Sequence, residues 1–330
     1  MSAVVVWAET TEGRLKKPTL EALTAGRKWA TTLGEPLWAV VIGDKLSENL
    51  PDLIAEYGAE KLIRILSPEF STFIPNAYAR ALAALIREKN VSYVVIPQTY
   101  DGRALAPLAS IWANAALFSG ITTIPEKQAE LWVARRICYS NKGLEWIGTA
   151  HLPLIITLKA NSIIPEKSPY SLTIEDFSFR PPVEDLRAKP VGVEKVSTDK
   201  VPLTEAEIVV SAGRGLKGPE NWTIVEELAK VLGAATACSK PVADVGWRPH
   251  HEHVGQTGIQ ISPNLYIAIG ISGAIQHLAG VASSKNILVI NSDPEAPFFK
   301  AADYGIVGDA FEVVPRLTEA IRRYKEQHSH

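Results

Sequence analysis

Residues 213–218 form the clearest candidate phosphate-binding segment of this sequence. They read Gly-Arg-Gly-Leu-Lys-Gly and match the pattern G-x-G-x-x-G. Glycines let the backbone approach a pyrophosphate closely, and free N–H groups at the start of a helix attract negative charge. Arg214 adds guanidinium donors that suit phosphate oxygens. An apolar run at 208–211 and a helical pattern from about Pro219 favour this interpretation over a glycine-rich turn that only joins a strand to a helix.

A second polar loop, residues 254–258, reads Val-Gly-Gln-Thr-Gly. Its amides and the Thr257 hydroxyl can face a polar ring, although an ordinary turn is the open alternative. Three histidines, His250, His251 and His253, precede the loop. Their spacing fits neither an i, i+4 helical pair nor a zinc finger, so the sequence does not predict a metal site.

Two further strand ends carry small or polar residues. In the segment 270–277 we expect Ser272 to cap a helix and to present the positive end of its dipole to an anion. His277 then lies one turn inside that helix, either facing the turn or satisfied within the core. Asn291 and Asp309 suit a ribose or an adenine edge, or serve only as turn and capping residues.

The first half of the chain alternates strand and helix patterns, which indicates a parallel sheet flanked by helices. We predict strands at 4–8, 37–43, 62–66, 93–97 and 154–158, and helices at 18–32, 76–88 and 105–115. Runs at 132–139 and 146–151 around Asn-Lys-Gly at 141–143 predict a hairpin.

The second half repeats the pattern. We predict strands at 207–211, 234–237, 265–269, 286–290 and 303–306, and helices at 220–232, from 273, and at 313–327. The intervening stretch 165–202 is rich in Pro, Ser, Lys and Glu, with short strand-like pieces at 170–177 and 191–196. The predicted fold is therefore α/β, with two doubly wound, Rossmann-like domains of mainly parallel sheets, at 1–195 and 196–330.

Composition narrows the function classes. The 330 residues include 34 Lys and Arg against 36 Asp and Glu, a net charge of −2, so no basic field favours nucleic acid. Cys138 and Cys238 give no disulfide framework. The N-terminal run has no basic leader, and charged residues interrupt every apolar stretch before a membrane span is reached. We expect a soluble, cytoplasmic protein.

Taken in this order and spacing, these segments closely resemble the α subunit of the electron transfer flavoproteins. The resemblance is strongest over residues 205–318. Its motifs are Val-Val-Ser-Ala-Gly-Arg-Gly-Leu-Lys at 209–217, Val-Gly-Gln-Thr-Gly at 254–258, Leu-Tyr-Ile-Ala-Ile-Gly-Ile-Ser-Gly-Ala-Ile-Gln-His-Leu-Ala-Gly at 265–280, Asn-Ser-Asp-Pro-Glu-Ala-Pro at 291–297 and Ala-Asp-Tyr-Gly-Ile-Val-Gly-Asp at 302–309. The N-terminal half is similar more loosely, through Val-Val-Val-Trp-Ala-Glu at 4–9.

The resemblance implies an electron carrier rather than an enzyme with its own substrate. It implies one FAD in the C-terminal domain, a heterodimer with a β subunit that holds AMP or a second FAD, and the N-terminal domain as the contact with that subunit. Electrons are then expected to pass from acyl-CoA dehydrogenases of fatty acid β-oxidation to a membrane quinone oxidoreductase.

The resemblance also implies roles for individual residues. Arg214 is expected at the FAD phosphates, Thr257 at flavin N5, and His277 near the C2 carbonyl, while Asn291 and Asp309 hold the adenosine half. The full set of expected FAD contacts is Arg214, Ser239, Lys240, Val254, Gly255, Gln256, Thr257, Ser272, Gly273, Ala274, Ile275, Gln276, His277, Asn291 and Asp309.

One position departs from the family pattern. After Ser239 the family usually carries Arg against the flavin ring, and this chain has Lys240. The positive charge is kept, whereas the planar guanidinium is lost. The departure leaves the reduction potential of the flavin open.

Three alternative functions stay open. An electron-bifurcating, NADH-linked form of the same family has a second FAD on the β subunit. An NAD-dependent oxidoreductase would use the motif at 213–218, but Asp244 lies 26 residues beyond Gly218, farther than the usual acidic ribose anchor. A non-redox nucleotide-binding protein would use the β-α pattern of the first domain.

Overall fold

The computed structural model describes residues 3–11, 13–139, 143–187 and 201–328. The chain forms two compact units, Met1–Lys195 and Val196–His330. The junction between them falls outside the described residues, as do the predicted strand-like piece at 191–196 and most of the predicted hairpin turn at 141–143. The boundary at 195/196 therefore stays a prediction.

The first unit is built from strands and helices that largely alternate along the chain. Its strands are β1 (Val4–Trp7), β2 (Thr10–Thr11), β3 (Arg14–Leu15), β4 (Leu37–Gly43), β5 (Lys61–Leu66), β6 (Tyr93–Pro97), β7 (Ala116–Ile121), β8 (Glu126–Gln128), β9 (Leu131–Cys138), β10 (Gly143–Thr149), β11 (Leu154–Leu158) and β12 (Thr173–Asp176). Its helices are α1 (Lys17–Leu33), α2 (Leu50–Glu56), α3 (Pro75–Glu88) and α4 (Tyr100–Ala113).

Ten of these strands form one mixed sheet in the order β10-β9-β7-β11-β6-β1-β4-β5-β12, with β8 beside β9. The strands from β7 to β12 in this order are parallel, and β9 pairs antiparallel with β7, β8 and β10. The predicted β-α pattern and the hairpin are confirmed. The prediction missed β7 and α2.

Helices cover both faces of this sheet. On one face, Val5 and Val40 pack with residues of α3 and α4. On the other, Val4 and Val6 pack with α1, where the fully buried Trp29 contacts the Tyr93 ring at 4.9 Å between centroids. Because successive side chains of a strand point to opposite faces, continuous apolar strands such as β1 are buried on both sides.

Strand order reverses between β1 and β6, and polar side chains of the unit contact one another at that edge. The Glu9 carboxylate after β1 accepts a hydrogen bond from the Thr99 hydroxyl at 2.6 Å and is paired with Lys16. Thr99 also caps α4 by accepting from the Gly102 N–H at 3.0 Å. Burial raises the pKa of Glu9, and the Lys16 ammonium opposes that rise. The Glu9–Thr99 hydrogen bond therefore connects the end of β1 to the start of α4.

A buried hydroxyl in the first unit gives a stability prediction. Tyr78 is 6% exposed, and its hydroxyl donates to the Phe70 carbonyl at 2.9 Å. Tyr78→Phe removes the donor and leaves that carbonyl buried without it, so we expect the free energy of unfolding to fall by about 1–2 kcal/mol. Urea unfolding measures the change. Tyr100→Phe, at a 64% exposed position, is the control, and an equal effect of both variants contradicts the prediction.

The second unit contains a five-stranded, fully parallel sheet in the order β14-β13-β15-β16-β17. Its strands are β13 (Ile208–Ala212), β14 (Ala235–Cys238), β15 (Leu265–Ile269), β16 (Asn286–Asn291) and β17 (Tyr304–Val307). Its helices are α5 (Thr223–Leu232), α6 (Lys240–Asp244), α7 (Ile275–Val281) and α8 (Ala310–His328). Buried apolar clusters lie on both faces, so this sheet is also doubly wound. The predicted fold class is confirmed.

One local prediction was wrong in a way that matters for the glycine motif. The helix after Gly218 does not begin near Pro219; a short 3-10 segment, Pro219–Trp222, comes first, and α5 starts at Thr223. Gly218 therefore does not stand at the N-terminus of an α-helix.

None of the described helices combines the length and the apolar character that a membrane crossing requires.

Candidate cofactor site

A cavity of about 740 Å³ lies in the second unit at the carboxyl ends of four strands. It is lined by residues that follow β13, β14, β15 and β16. Strand order reverses between β13 and β15, and ligands of open parallel sheets bind at such a reversal. The volume is within the usual range for small-molecule and cofactor sites.

Glycines bring two of these loops into backbone contact. Gly215 donates its N–H to the Gly270 carbonyl at 3.1 Å, and Gly213 donates to the Ile269 carbonyl at 2.9 Å. A Cβ on Gly215 would lie 2.6 Å from the Gly270 Cα, and Gly270 itself has a φ of +58°. Only glycine fits this close approach, which holds Arg214 at the cavity wall.

The loop after β14 supplies the second wall. Lys240 opens α6, directly after Ser239, whose N–H donates to the Ala212 carbonyl at 3.1 Å. The segment then returns to the sheet, where the Val254 N–H donates to the Cys238 carbonyl at 3.1 Å. Gln256 donates its N–H to the Gln276 carbonyl at 2.7 Å, which joins this loop to α7.

A partly buried ion pair fixes the middle of that loop. Arg248 donates from Nε and Nη2 to the two oxygens of Glu252, at 2.7 and 2.6 Å, and from Nη1 to Glu226 of α5 at 3.1 Å. Glu252 is 7% exposed and also accepts from the Thr236 hydroxyl of β14 at 3.3 Å. Two parallel bonds between guanidinium and carboxylate define both position and orientation. The loop that carries His253 and Val254 is thereby held against the sheet.

His277 lies on the cavity wall and is held by contacts within the protein. It is 7% exposed, and its Nε2 is 2.8 Å from the hydroxyl of Tyr266. Burial lowers the pKa of His277 to about 4, the nearby His253 adds to that lowering, and a hydrogen bond with the Val254 backbone opposes it. The imidazole is therefore uncharged at neutral pH.

The structure brings most of the sequence-predicted site residues together. Twelve of the fifteen line the cavity: Arg214, Ser239, Lys240, Val254, Gly255, Gln256, Thr257, Ser272, Ala274, Gln276, His277 and Asn291. Gly273, Ile275 and Asp309 do not. The Ile275 side chain is 75% exposed, and Asp309 accepts from the Phe311 N–H at 2.9 Å at the start of α8.

Two of the expected local roles change. Ser272 does not cap the following helix, because Gly273 takes a φ of +87° and α7 begins only at Ile275, after Ala274. The Asn291 side chain bridges its own loop, donating to the Ile271 carbonyl at 3.0 Å and accepting from the Asp293 N–H at 3.0 Å. A contact of Asn291 or Asp309 with adenosine stays a prediction.

His253 is the main lining residue that the sequence interpretation did not include. It is 8% exposed, and burial lowers its pKa, an effect that the Asp244 carboxylate opposes and the Lys240 ammonium reinforces. Of the three neighbouring histidines it alone lines the cavity. No spacing rule distinguishes it from His250 and His251; its position one residue before Val254 was the available signal. In the described ranges, no three His, Cys, Asp or Glu side chains are grouped to hold a metal ion.

The parallel sheet, the glycine contact at the strand-order reversal and the cavity beside it define an α/β domain that binds a nucleotide cofactor. The sequence comparisons then identify the family. Residues 202–282 match the electron transfer flavoprotein FAD-binding domain, and residues 4–199 match the electron transfer flavoprotein domain. The chain belongs to the family of electron transfer flavoprotein α subunits.

Relatives from several bacteria agree along nearly the whole chain. The electron transfer flavoprotein subunit alpha of Bacillus subtilis (strain 168) is 37% identical over 323 residues, covering 97% of each chain. The protein of that name from Mycobacterium tuberculosis (strain CDC 1551 / Oshkosh) is 37% identical over 327 residues, covering 98% of this chain and all of its own. Protein FixB of Clostridium saccharobutylicum is 35% identical over 317 residues, covering 95% and 94%.

Proposed function

We propose that this chain holds one FAD in the cavity of its second unit and acts as an electron carrier in a heterodimer with a β subunit. Electrons enter from acyl-CoA dehydrogenases and leave to a membrane quinone oxidoreductase. In this proposal FAD supplies the redox chemistry, and the chain has no substrate of its own.

The observation that carries the proposal is a cavity of cofactor size at the strand-order reversal, in the part of the chain that matches the electron transfer flavoprotein FAD-binding domain. The chemical types of the residues that line this cavity suit FAD. Arg214 is exposed on the cavity wall, and its guanidinium donors suit a pyrophosphate. The side chains of Lys240, His253, Gln256 and Thr257 provide donors for a ring rich in acceptor atoms.

Each part of the lining then has a distinct task. Arg214 binds the phosphates, and Lys240 places a positive charge beside the ring, where negative charge develops when the cofactor is reduced. Thr257 and His277 orient the ring by hydrogen bonds. The partly buried Arg248–Glu252 pair holds the loop that carries Thr257.

An anaerobic reductive titration tests the carrier role. The full chain is co-produced with its β subunit, and a catalytic amount of acyl-CoA dehydrogenase with its acyl-CoA substrate is added while flavin absorbance is followed. We expect reduction of the bound FAD only when the dehydrogenase is present. Direct bleaching by NADH indicates the bifurcating form or the dehydrogenase alternative instead, and a complex that the acyl-CoA dehydrogenase does not reduce contradicts the proposed donor.

Lys240 gives a prediction about the reduction potential. A unit charge within about 4–8 Å of the ring interacts by roughly 2–4 kcal/mol at an effective dielectric of 20. Lys240 is exposed, so solvent screening reduces this to about 1–2 kcal/mol. We expect Lys240→Gln to lower the midpoint potential of bound FAD by roughly 50–100 mV, because a tenfold change in a one-electron equilibrium constant corresponds to about 59 mV.

Two variants control this measurement. Lys240→Arg keeps the charge and is expected to retain most of the potential. Lys230→Gln removes an exposed charge on α5, outside the cavity, and is expected to leave the potential unchanged. Equal potentials in Lys240→Gln and Lys230→Gln place Lys240 away from the ring and overturn its assigned role.

A further inference from the structure

The loop at residues 254–258 is folded around the imidazole of His253. A Cβ on Gly258 would lie 2.7 Å from His253 Nδ1, and a Cβ on Gly255 would lie 3.2 Å from His253 Nε2. The Ile259 N–H donates to the His253 carbonyl at 2.9 Å and closes the loop. The two glycines therefore leave room for the ring, and a larger residue at position 258 would displace it.

Helix α7 packs directly against this loop. A Cβ on Gly280 would lie 2.5 Å from the Gly255 Cα, so no side chain separates the two backbones. His253 is 8% exposed and lines the cavity. The close packing of its loop gives the imidazole a defined place on the cavity wall.

The groups whose charge acts on His253, or is acted on by it, come from α6, from its own segment and from α7. They are Lys240, Asp244, His250 and His277. Burial is the largest influence and lowers the pKa of His253. The Asp244 carboxylate opposes this change, whereas Lys240 and His250 add to it. The imidazole is therefore mostly uncharged at neutral pH.

Reduction of a bound cofactor changes the charge in this cavity. An electron that enters the cofactor adds one negative charge to the cavity that His253 lines. A negative charge nearby favours the protonated form of an imidazole. This effect acts through space and needs no hydrogen bond between His253 and the cofactor. A group that binds its proton more tightly in the reduced state raises the reduction potential as the pH falls, because the two binding events are linked.

We propose that His253 takes up a proton from solvent when the bound cofactor receives its first electron. The proton adds to the lone pair of an imidazole nitrogen, one N–H bond forms, and the imidazolium charge compensates the charge of the electron. No other bond changes. The proposal rests on the proposed function for the identity of the cofactor and for the source of the electron.

His253→Gln is the direct test because glutamine keeps a polar side chain and cannot take up this proton. The full chain is co-produced with its β subunit, and the midpoint potential for the first electron is measured from pH 8 to pH 5.5 by stepwise anaerobic reduction with reference dyes. Near pH 8 His253 is uncharged in both oxidation states, so the two potentials are expected to change in parallel. As the pH falls, we expect the wild-type potential to rise relative to that of the variant by about tenfold in the one-electron equilibrium constant, or about 59 mV.

Two further variants support this comparison. His251→Gln is the matched control, since it removes an exposed histidine that does not line the cavity, and it is expected to follow the wild-type protein at every pH. Asp244→Asn removes the carboxylate that favours the protonated imidazole. In this variant the extra rise in potential is expected to begin at a lower pH than in the wild-type protein.

The outcomes separate the inference from the proposed function. Wild-type and His253→Gln potentials that run parallel at every pH overturn the inference. If His253→Gln does not bind FAD, a pH dependence that Asp244→Asn leaves unshifted overturns it instead. A wild-type complex that takes up no flavin, which its absorbance reveals before any potential is measured, refutes the proposed function and removes the basis of the inference.

Discussion

Gly215→Ala is expected to weaken FAD binding on the order of 100-fold and to lower the free energy of unfolding by about 1–3 kcal/mol. The added Cβ would lie 2.6 Å from the Gly270 Cα and 2.9 Å from the Gly270 carbonyl oxygen, both backbone atoms. Neither can rotate away as a side chain can, so the loops after β13 and β15 must separate. That separation displaces Arg214 and opens the phosphate end of the cavity.

Gly233→Ala is the matched control for that variant. Gly233 ends α5 with a φ of +70°, but nothing lies within 4 Å of its added Cβ. It is expected to cost about 1 kcal/mol of stability, as alanine does in the left-handed region, without changing FAD affinity. Fluorescence titration and urea unfolding measure both quantities. FAD affinities that are equal in the two variants exclude the loop contact as part of the site.

The second large effect is a loss of stability on acidification caused by His277. In the folded chain its pKa is lowered to about 4, whereas an unperturbed histidine, as in the unfolded chain, has a pKa of 6.5. Below pH 6.5 the unfolded chain takes up a proton on this imidazole that the folded chain does not. The resulting stabilisation is complete above about pH 6.5 and is lost as the pH falls toward 4. At pH 5 the loss is about 2 kcal/mol, approaching about 3 kcal/mol near pH 4.

The comparison with His277→Gln isolates this contribution. Urea unfolding of the flavin-free protein at pH 7.5 and pH 5 gives the change in unfolding free energy for each chain. The wild-type protein is expected to lose about 2 kcal/mol more than His277→Gln over this range. His251→Gln, at an exposed position, is expected to behave as wild type. Parallel losses in all three chains contradict a buried, neutral His277.

Much of the fold was predictable because its strands are short, continuous apolar runs. β4, β6, β11 and β15 have the predicted bounds, and Gly34 ends α1 in the left-handed conformation, as its position after the helical pattern indicated. β7 was missed because Ser119 and Gly120 interrupt its apolar run. Its place in the sheet comes from pairing with β11, a contact that no local pattern contains.

The site was predictable to a similar degree. Twelve of the residues that the family motifs indicated line one cavity, because all follow strands that end at the same edge of a sheet. Their contact with FAD stays a prediction. The capping role of Ser272 failed since Gly273 turns the chain before α7 begins. His253 was missed because its burial depends on the Arg248–Glu252 pair, which holds the loop against β14. Such tertiary contacts have no signature in spacing or composition.

The central claim, that the second unit binds FAD in this cavity, is tested most directly by cofactor content. The full chain is co-produced with its β subunit, incubated with excess FAD and desalted, and the flavin released by denaturation is identified and counted alongside Gly215→Ala. We expect one FAD for each α chain in the wild-type complex and a clear deficit in the variant. A wild-type complex that stays colourless, or one that retains equal FAD when Gly215 is replaced, contradicts the account.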